Sequence, residues 1–221
     1  MRLGTEHMTE NGGRGVGARL LRKEDKRLMR GQGRFIADIA LVGQNEVAFL
    51  RSPVAHARVI ETNIPDDIRS RVFSHADMTG IQPIRADTAL PGFKSSAQPV
   101  LVADKIRQVG ELIAMCIAPT RAEAEDMVDR VHVEYDELPA VSDMLAARAP
   151  DAPLIHEKWG DNVFLETLVE QNIEEAIAGA TVKITRRFRT ARQCMAPIEG
   201  KGVVAEWDGR LDQLVLHSAT Q

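Results

Sequence analysis

Three side chains that stand out in the first half of the chain, His56, His75 and Asp77, are of types that can bind metal ions or move protons. His75 and Asp77 are separated by one residue, which suits a metal or acid–base pair, but two ligands do not complete a metal site. His56 and Arg58 alternate with small apolar residues, so they could share one sheet face. A lone histidine in such a place is more often a hydrogen-bonded structural residue than a catalyst. These residues alone therefore predict no catalytic site.

The two cysteines, Cys116 and Cys194, cannot form a disulfide framework. Cys116 lies in an apolar run and is most simply a small core residue. Cys194 has no recognisable base or metal partner in the sequence. This cysteine usage favours a reducing, cytoplasmic setting.

A glycine-rich segment near the N-terminus resembles a phosphate-binding loop in composition. Its glycines are Gly12, Gly13, Gly15 and Gly17. A phosphate loop must lie between a strand and a helix, and no strand is predicted before this segment. We therefore predict a flexible tail over residues 1–20, with a nucleotide-binding protein as the remoter alternative. The segment also lacks the apolar stretch of a secretory signal, so none is expected.

The elements that must position any site are clearest between Gln98 and Ala140. Leu112 to Ala118 is a run of seven apolar residues, which predicts a strand buried on both faces, as in parallel sheets. Thr120 and Glu123 match a capping box, and Ala124, Met127, Val128 and Val131 fall on one face of the helix that would follow. Alternation from Val131 to Tyr135 predicts a second strand. Strand, helix and strand together predict a βαβ unit with a right-handed crossover.

Shorter elements are predicted before this unit. The predictions are strands at Glu46 to Leu50, Val54 to Ile60 and Val72 to Phe73, short helices at Asp66 to Arg69 and Ser74 to Met78, and an irregular loop from Gly80 to Ser96. At Gly31 to Asp38 a turn leading into a strand is favoured over a ligand-binding loop.

The sequence pattern of the last forty residues predicts the start of a second domain. Asp208 and Gly209 separate two apolar runs, Val203 to Trp207 and Leu214 to His217, which is a hairpin signal. A further strand is predicted from Val182 to Arg189, and a short helix capped by Asn172 from Ile173 to Ala180. Three strands alone bury little apolar surface, so this region needs more protein packed against it.

Composition narrows the function classes. The 221 residues carry a net charge of −4, which argues against a nucleic-acid-binding surface. Hydrophobic residues make up 44% of the chain and charged residues 27%, as in ordinary globular proteins. No run approaches the roughly 20 apolar residues that a membrane-spanning helix needs.

Six motifs occur in order along the chain. They are Gly31 to Asp38, Arg51 to Arg58, Val109 to Glu111, Glu134 to Pro139, Ala196 to Glu199, and Ser218 to Gln221. Together they resemble the N-terminal part of the molybdenum-hydroxylase large subunit, the family of xanthine dehydrogenase, aldehyde oxidase and aerobic carbon monoxide dehydrogenase. The resemblance covers residues 17–221.

We predict an α/β (α+β) fold in four parts. Composition indicates the flexible tail over residues 1–20 and, through Pro150 and Pro153, a connecting segment over 146–180. The resemblance implies an α/β hammerhead domain, with the βαβ unit, over 21–145 and the incomplete start of a molybdopterin-binding domain over 181–221.

The resemblance also implies a function as part of an oxidoreductase that places a water-derived oxygen on a carbon centre. A molybdopterin cofactor, expected as the cytosine dinucleotide, would be bound in the complete assembly but not by this chain alone. Implied partners are the remainder of the large subunit, an iron–sulfur subunit and an FAD subunit. A non-catalytic hammerhead module for binding or assembly is the alternative.

One residue is implied to touch the cofactor. In the family a glutamine in the last motif lies close to the molybdenum oxo group, and the matching residue is Gln221. Glu199 is a weaker candidate, since a carboxylate that binds backbone amides at a turn explains it more simply. No catalytic residue and no metal ligand are expected in this chain, because the family's glycine-rich metal-site segment and its general-base glutamate are absent from it.

Overall fold

The computed structural model describes residue 16, residues 21–168 and residues 173–220. The predicted tail falls almost wholly on the other residues, and so do the predicted helix cap Asn172 and the candidate cofactor contact Gln221. The chain divides into two units. The larger unit runs from Val42 to Arg187, and the smaller joins the residues up to Leu41 to those from Phe188 onward.

Ten strands occur in the described residues. They are β1 (Glu46–Arg51), β2 (Ala57–Asn63), β3 (Val72–Phe73), β4 (Ile84–Arg85), β5 (Ala97–Gln98), β6 (Lys105–Ile106), β7 (Leu112–Ala118), β8 (His132–Glu137), β9 (Val203–Asp208) and β10 (Gln213–Ser218). The α-helices are α1 (Asp25–Leu28), α2 (Arg121–Val128) and α3 (Glu174–Gly179). Short 3-10 turns lie at Ile36–Asp38, Arg69–Arg71, His75–Asp77, Ala146–Arg148 and Glu157–Trp159.

The larger unit contains two three-stranded sheets. The first has the order β1-β7-β3 and the second β6-β2-β8, and every strand pair is antiparallel. In the first sheet Cys116 of β7 pairs with Ala48 of β1 on one side and with Val72 of β3 on the other. A third, minimal sheet pairs β4 with β5, so the otherwise irregular stretch from 80 to 96 contains one short strand.

Each three-stranded sheet has its own hydrophobic core. The first core contains Ala48, Ile68, Val72, Ala114, Cys116, Ala118, Ala124, Met127 and Val131. The second contains Ala57, Val102, Ile106 and Ile113. Strand β7 contributes to both cores, because Ile113 belongs to one and its neighbour Ala114 to the other. This position explains why the sequence of β7 is apolar throughout.

The prediction of a parallel βαβ unit is wrong, because its two strands lie in different sheets. The strand, the helix and the second strand themselves are present near the predicted residues. Strand β7 spans the predicted residues, Thr120 Oγ1 accepts a hydrogen bond from the Glu123 amide at 3.3 Å, and Ala124 and Met127 of α2 are buried. Strand β8, however, joins the second sheet and does not pair with β7. An apolar strand between two cores has the same sequence signature as a strand in a parallel sheet, which is why periodicity alone misassigned the pairing.

Other local predictions have mixed outcomes. Strand β1, the brief strand β3, helix α3 and the turn over His75–Asp77 are confirmed. The predicted strand over 54–60 begins later, at Ala57, and the helical turn predicted at 66–69 lies at Arg69–Arg71. The segment after Gly31 enters a 3-10 turn at Ile36 rather than a strand.

The smaller unit contains the predicted hairpin. Strands β9 and β10 pair antiparallel, with Trp207 opposite Leu214 and Val203 opposite Ser218. The further strand predicted over 182–189 is wrong, since those residues have no regular structure. Alternation of apolar residues does not make a strand where no partner strand supplies hydrogen bonds.

Candidate functional site

Two of the sequence motifs meet in the smaller unit. The Glu199 Oε1 atom accepts a hydrogen bond from the Ile36 backbone amide at 2.9 Å. Ile36 begins a 3-10 turn, where the amide has no acceptor within the turn itself. The neighbouring Phe35 amide is bound by the Asp38 carboxylate at 2.8 Å. Glu199 therefore has the structural role expected of it, as a carboxylate that binds a backbone amide at a turn.

Gly202 lies against the same turn and lets it approach closely. A Cβ atom added at Gly202 would be 3.1 Å from Ile36 Cγ2, which is tighter than ordinary van der Waals contact. The Gly202 carbonyl also accepts a hydrogen bond from the Ala219 amide at 3.0 Å. The motif that ends in Gln221 is thus tied, two residues before that glutamine, to the glycine that packs on Ile36.

These contacts bring three of the motifs into one local arrangement. The turn at Ile36, the segment from Glu199 to Gly202, and Ala219 are linked by the two hydrogen bonds and one glycine contact. Gln221 itself lies outside the described residues, so its predicted contact with a cofactor stays a prediction.

The hairpin carries an uncharged face that is open to solvent. Because paired residues on antiparallel strands share a face, one side of β9 and β10 presents Val203, Ala205, Trp207, Leu214, Leu216 and Ser218. The four large apolar residues of this set, Val203, Trp207, Leu214 and Leu216, are each 57% to 63% exposed. On the opposite side Val204, Val215 and His217 are half-buried. We call the exposed side the hairpin face.

The other residues singled out in the sequence serve the fold. His56 is buried and its Nδ1 lies 2.7 Å from the Pro139 carbonyl oxygen, so the structural interpretation of His56 is confirmed. Arg58 is exposed and so does not share the surroundings of His56. His75 Nδ1 lies 3.2 Å from the Leu101 carbonyl oxygen, and the Asp77 carboxylate accepts a hydrogen bond from Arg69 at 2.6 Å.

The cysteines differ in their surroundings. Cys116 is fully buried in the first core, as the sequence predicts, and burial raises the pKa of its thiol. Cys194 is exposed, and both thiols are free. Among residues 16, 21–168 and 173–220, no three His, Cys, Asp or Glu side chains lie together as metal ligands.

Two lysines bind the segment from Ala146 onward to earlier residues of the larger unit. Lys94 binds Asp161 at 2.6 Å and the Trp159 carbonyl oxygen at 3.2 Å. Lys105, whose side chain is only 3% exposed, forms an ion pair with Glu157 and donates to the Leu154 carbonyl oxygen at 3.4 Å. The hydrogen bond from Lys105 lowers the pKa of Glu157 to about 2.

A cavity of about 370 Å³ lies between this segment and the residues Gly92 and Lys94. Its charged lining residues form ion pairs with one another, Lys94 with Asp161 and Arg148 with Glu166. The Asn162 amide group donates to the Ala147 and Pro153 carbonyl oxygens and accepts from the Ile155 amide. These bonds shape the cavity walls and give the segment a defined path.

Two family models match most of the chain in consecutive stretches. The a/b hammerhead domain of aldehyde oxidase and xanthine dehydrogenase matches residues 30–139, and the molybdopterin cofactor-binding domain matches residues 155–221. The chain belongs to the molybdenum-hydroxylase large-subunit family. The two three-stranded sheets of the larger unit and the turn at Ile36 lie within the hammerhead match, and Glu199, Gly202 and the hairpin lie within the molybdopterin-domain match.

Relatives in this family are much longer than the chain. It is 31% identical to the nicotine 6-hydroxylase large subunit of Paenarthrobacter nicotinovorans, over 93% of the chain and 26% of that subunit. It is 28% identical to the carbon monoxide dehydrogenase large chain of Hydrogenophaga pseudoflava, over 94% of the chain and 28% of that protein. The chain therefore spans about a quarter of the length of these molybdenum-hydroxylase relatives.

Solved structures in the family share the fold. Quinoline 2-oxidoreductase from Pseudomonas putida 86 matches with a TM-score of 0.79 and 36% identity, over 91% of the chain and 26% of that protein. Aldehyde oxidoreductase from Desulfovibrio gigas matches with a TM-score of 0.78 and 26% identity, over 89% of the chain and 23% of that protein. The hammerhead-type α/β fold is thereby confirmed for this member of the molybdenum-hydroxylase family. No helix among the described residues is long and apolar enough to cross a bilayer.

Two residues that make long-range contacts, Gly202 and Lys105, were not identified from the sequence. Gly202 directly precedes an apolar run and gave no signal of close packing, and no feature of the sequence singled out Lys105. Each acquires its role from a residue far along the chain, Ile36 for Gly202 and Glu157 for Lys105.

Proposed function

We propose that this chain forms the N-terminal part of a molybdenum-dependent hydroxylase large subunit. In this proposal residues 1–20 are a flexible tail, 21–145 the hammerhead domain, 146–180 a connecting segment and 181–221 the start of the molybdopterin-binding domain. The observation that carries the proposal is the pair of consecutive family matches, with the second running to residue 221. The open hairpin face supports it, because two strands alone rarely form a stable sheet.

The proposed reaction is the transfer of a water-derived oxygen to a carbon centre. When bound, the molybdopterin cofactor, in its cytosine dinucleotide form, supplies the redox chemistry and accepts two electrons. Gln221 is proposed to donate a hydrogen bond from its side-chain amide to the metal's oxo group. The Ala219–Gly202 hydrogen bond supports this role, since it fixes the backbone shortly before Gln221.

The chain is not expected to turn over by itself. Its proposed partners are the remainder of the large subunit, an iron–sulfur subunit and an FAD subunit, which carry the electrons away. The names of the relatives, which are large or lettered subunits of dehydrogenases and hydroxylases, support a multi-subunit assembly. The two free cysteines support a reducing, cytoplasmic location.

A direct test is to purify the natural assembly through a tag on this chain and to measure its molybdenum and pterin content. The assembly is then tested for dye reduction with aldehydes, purines, N-heterocycles and carbon monoxide. We expect about one molybdenum per chain and activity with one of these substrate classes. Purified assembly that lacks both metal and pterin contradicts the proposal.

The second candidate function is a non-catalytic hammerhead module for binding or assembly. It is favoured by the completeness of the larger unit, whose two cores are buried without any contribution from residues beyond 187. The same purification separates the two candidates. A metal-free chain that is stable and monomeric in its natural setting supports the module, and a molybdenum-containing assembly supports the hydroxylase.

A further inference from the structure

The hairpin face is a surface of low polarity formed by two paired strands. None of its six residues, Val203, Ala205, Trp207, Leu214, Leu216 and Ser218, carries a charge. The charged residues of the same two strands, Glu206 and Asp208, alternate onto the opposite side. The face therefore combines the apolar, uncharged composition that marks the centre of a protein interface.

The exposure of this face is concentrated in large side chains. Trp207 and Leu214 are directly paired and are 63% and 57% exposed, and Leu216 lies two residues further along the strand at 58%. Tryptophan contributes strongly to binding where it is desolvated, and the two leucines add apolar area beside it. Apolar side chains grouped in this way mark a binding surface rather than scattered surface exposure.

We infer that the remainder of the molybdopterin-binding polypeptide packs on the hairpin face, which forms the interface between them. This inference rests on the proposed function and names the surface through which that partner is held. The occupant follows from length, because about three-quarters of each of these relatives lies outside the part that the chain matches. It follows also from chemistry, because an uncharged apolar face is complementary to another apolar sheet or helix face and not to an acidic or basic partner.

Fluorescence of Trp207 reports whether the hairpin face is buried in an interface. The chain contains two tryptophans, Trp159 and Trp207, so Trp159→Phe leaves Trp207 as the single reporter. In the isolated 221-residue chain we expect acrylamide to quench Trp207 freely. In the molybdenum-containing assembly we expect the quenching constant to fall by about threefold or more, because the core of an interface excludes solvent.

Adjacent residues of β10 provide a matched pair of variants. Leu214 lies on the hairpin face and Gln213 on the opposite side, and both are exposed. We expect Leu214→Ser to lower the recovery of molybdenum and of the partner polypeptide per chain by about tenfold, as for an anchor residue. Gln213→Ser should recover as much of both as the unaltered chain. Circular dichroism of each variant chain alone establishes that the hairpin is retained.

The outcomes separate this inference from the proposed function. Suppose that the unaltered chain carries molybdenum and the partner polypeptide. If Trp207 then stays fully quenchable, or if the two serine variants recover equal amounts of both, the interface lies elsewhere and the proposed function still stands. If the unaltered chain carries neither metal nor that polypeptide, and light scattering shows Trp207 shielded in a dimer of this chain, both are overturned.

Discussion

The Lys105 ammonium and the Glu157 carboxylate form an ion pair between residues 52 positions apart in the chain. The pair is asymmetric, since the Lys105 side chain is 3% exposed and the Glu157 side chain 54%. A buried ammonium without a counter-charge is costly, whereas a carboxylate at the surface is solvated by water. The energetic importance of the pair therefore lies on the lysine side.

This asymmetry predicts that removing the acid harms the fold more than removing the base. Glu157→Gln leaves Lys105 buried without its negative partner and should cost about 1–2 kcal/mol, allowing for screening at the half-exposed Glu157. Lys105→Met keeps most of the volume, removes the buried charge and leaves Glu157 in water, so its cost should be smaller. Urea unfolding followed by circular dichroism measures both. A larger loss for Lys105→Met than for Glu157→Gln contradicts this ordering.

The same pair predicts a pH dependence. The pKa of Glu157 is about 2 in the folded chain, mainly because Lys105 donates to its carboxylate, and 4.5 is the ordinary value. A depressed pKa contributes stability that is full above about pH 4.5 and is lost as the pH falls toward 2. The difference in urea midpoint between the unaltered chain and Glu157→Gln should therefore shrink between pH 5 and pH 3. A difference that stays constant over this range would show that Glu157 titrates normally.

Gly202 and Gly200 form a matched pair in the smaller unit. An added Cβ at Gly202 meets Ile36 at 3.1 Å, while one at Gly200 meets nothing within 4 Å. Ile36 cannot retreat easily because Glu199 holds its amide. Gly202→Ala should destabilise the smaller unit by about 1 kcal/mol or more, as expected for overpacking, and Gly200→Ala should not.

Amide hydrogen exchange at Ala219 measures the effect, because its hydrogen bond to Gly202 depends on this packing. We expect faster exchange at Ala219 in Gly202→Ala than in Gly200→Ala. Equal exchange rates in the two variants would mean that the Ile36 contact does not constrain this backbone.

The structural role of Glu199 predicts different results for two substitutions. Glu199→Ala leaves the Ile36 amide without an acceptor and should cost about 1–2 kcal/mol, whereas Glu199→Gln keeps a side-chain oxygen and should cost little. Exchange at the Ile36 amide reports the bond directly. In the natural assembly Glu199→Gln should retain turnover. Lost turnover with Ile36 still protected would instead show that the carboxylate takes part in the chemistry.

Individual helices, strands and turns could be predicted from the sequence because they depend on interactions between residues close together in the chain. Thr120 caps α2 through an amide three residues away, and Asp208 and Gly209 turn the chain between two apolar runs, as the sequence predicts. The core positions Cys116 and Met127 were also identified, since the apolar run of β7 and the spacing on α2 determine which side chains can be buried.

Which strands pair with one another in a sheet could not be predicted from the sequence. The apolar sequence of β7 is consistent both with a parallel sheet and with a strand between two cores, and only the contacts of Ile113 and Ala114 distinguish these. The predicted strand over 182–189 failed for a related reason, because alternation specifies a face but does not supply a partner strand.

The sequence by itself determined the motifs, the approximate positions of most strands and the family, because each motif and each strand depends on residues close together in the chain. The tertiary structure decided that β7 and β8 belong to different sheets, that Lys105 is buried against Glu157, and that Glu199 and Gly202 hold the turn at Ile36. These relationships join residues separated by many positions. They arise from the shared burial of apolar surface and the pairing of polar groups that this burial encloses, and neither leaves a periodic signature in the sequence.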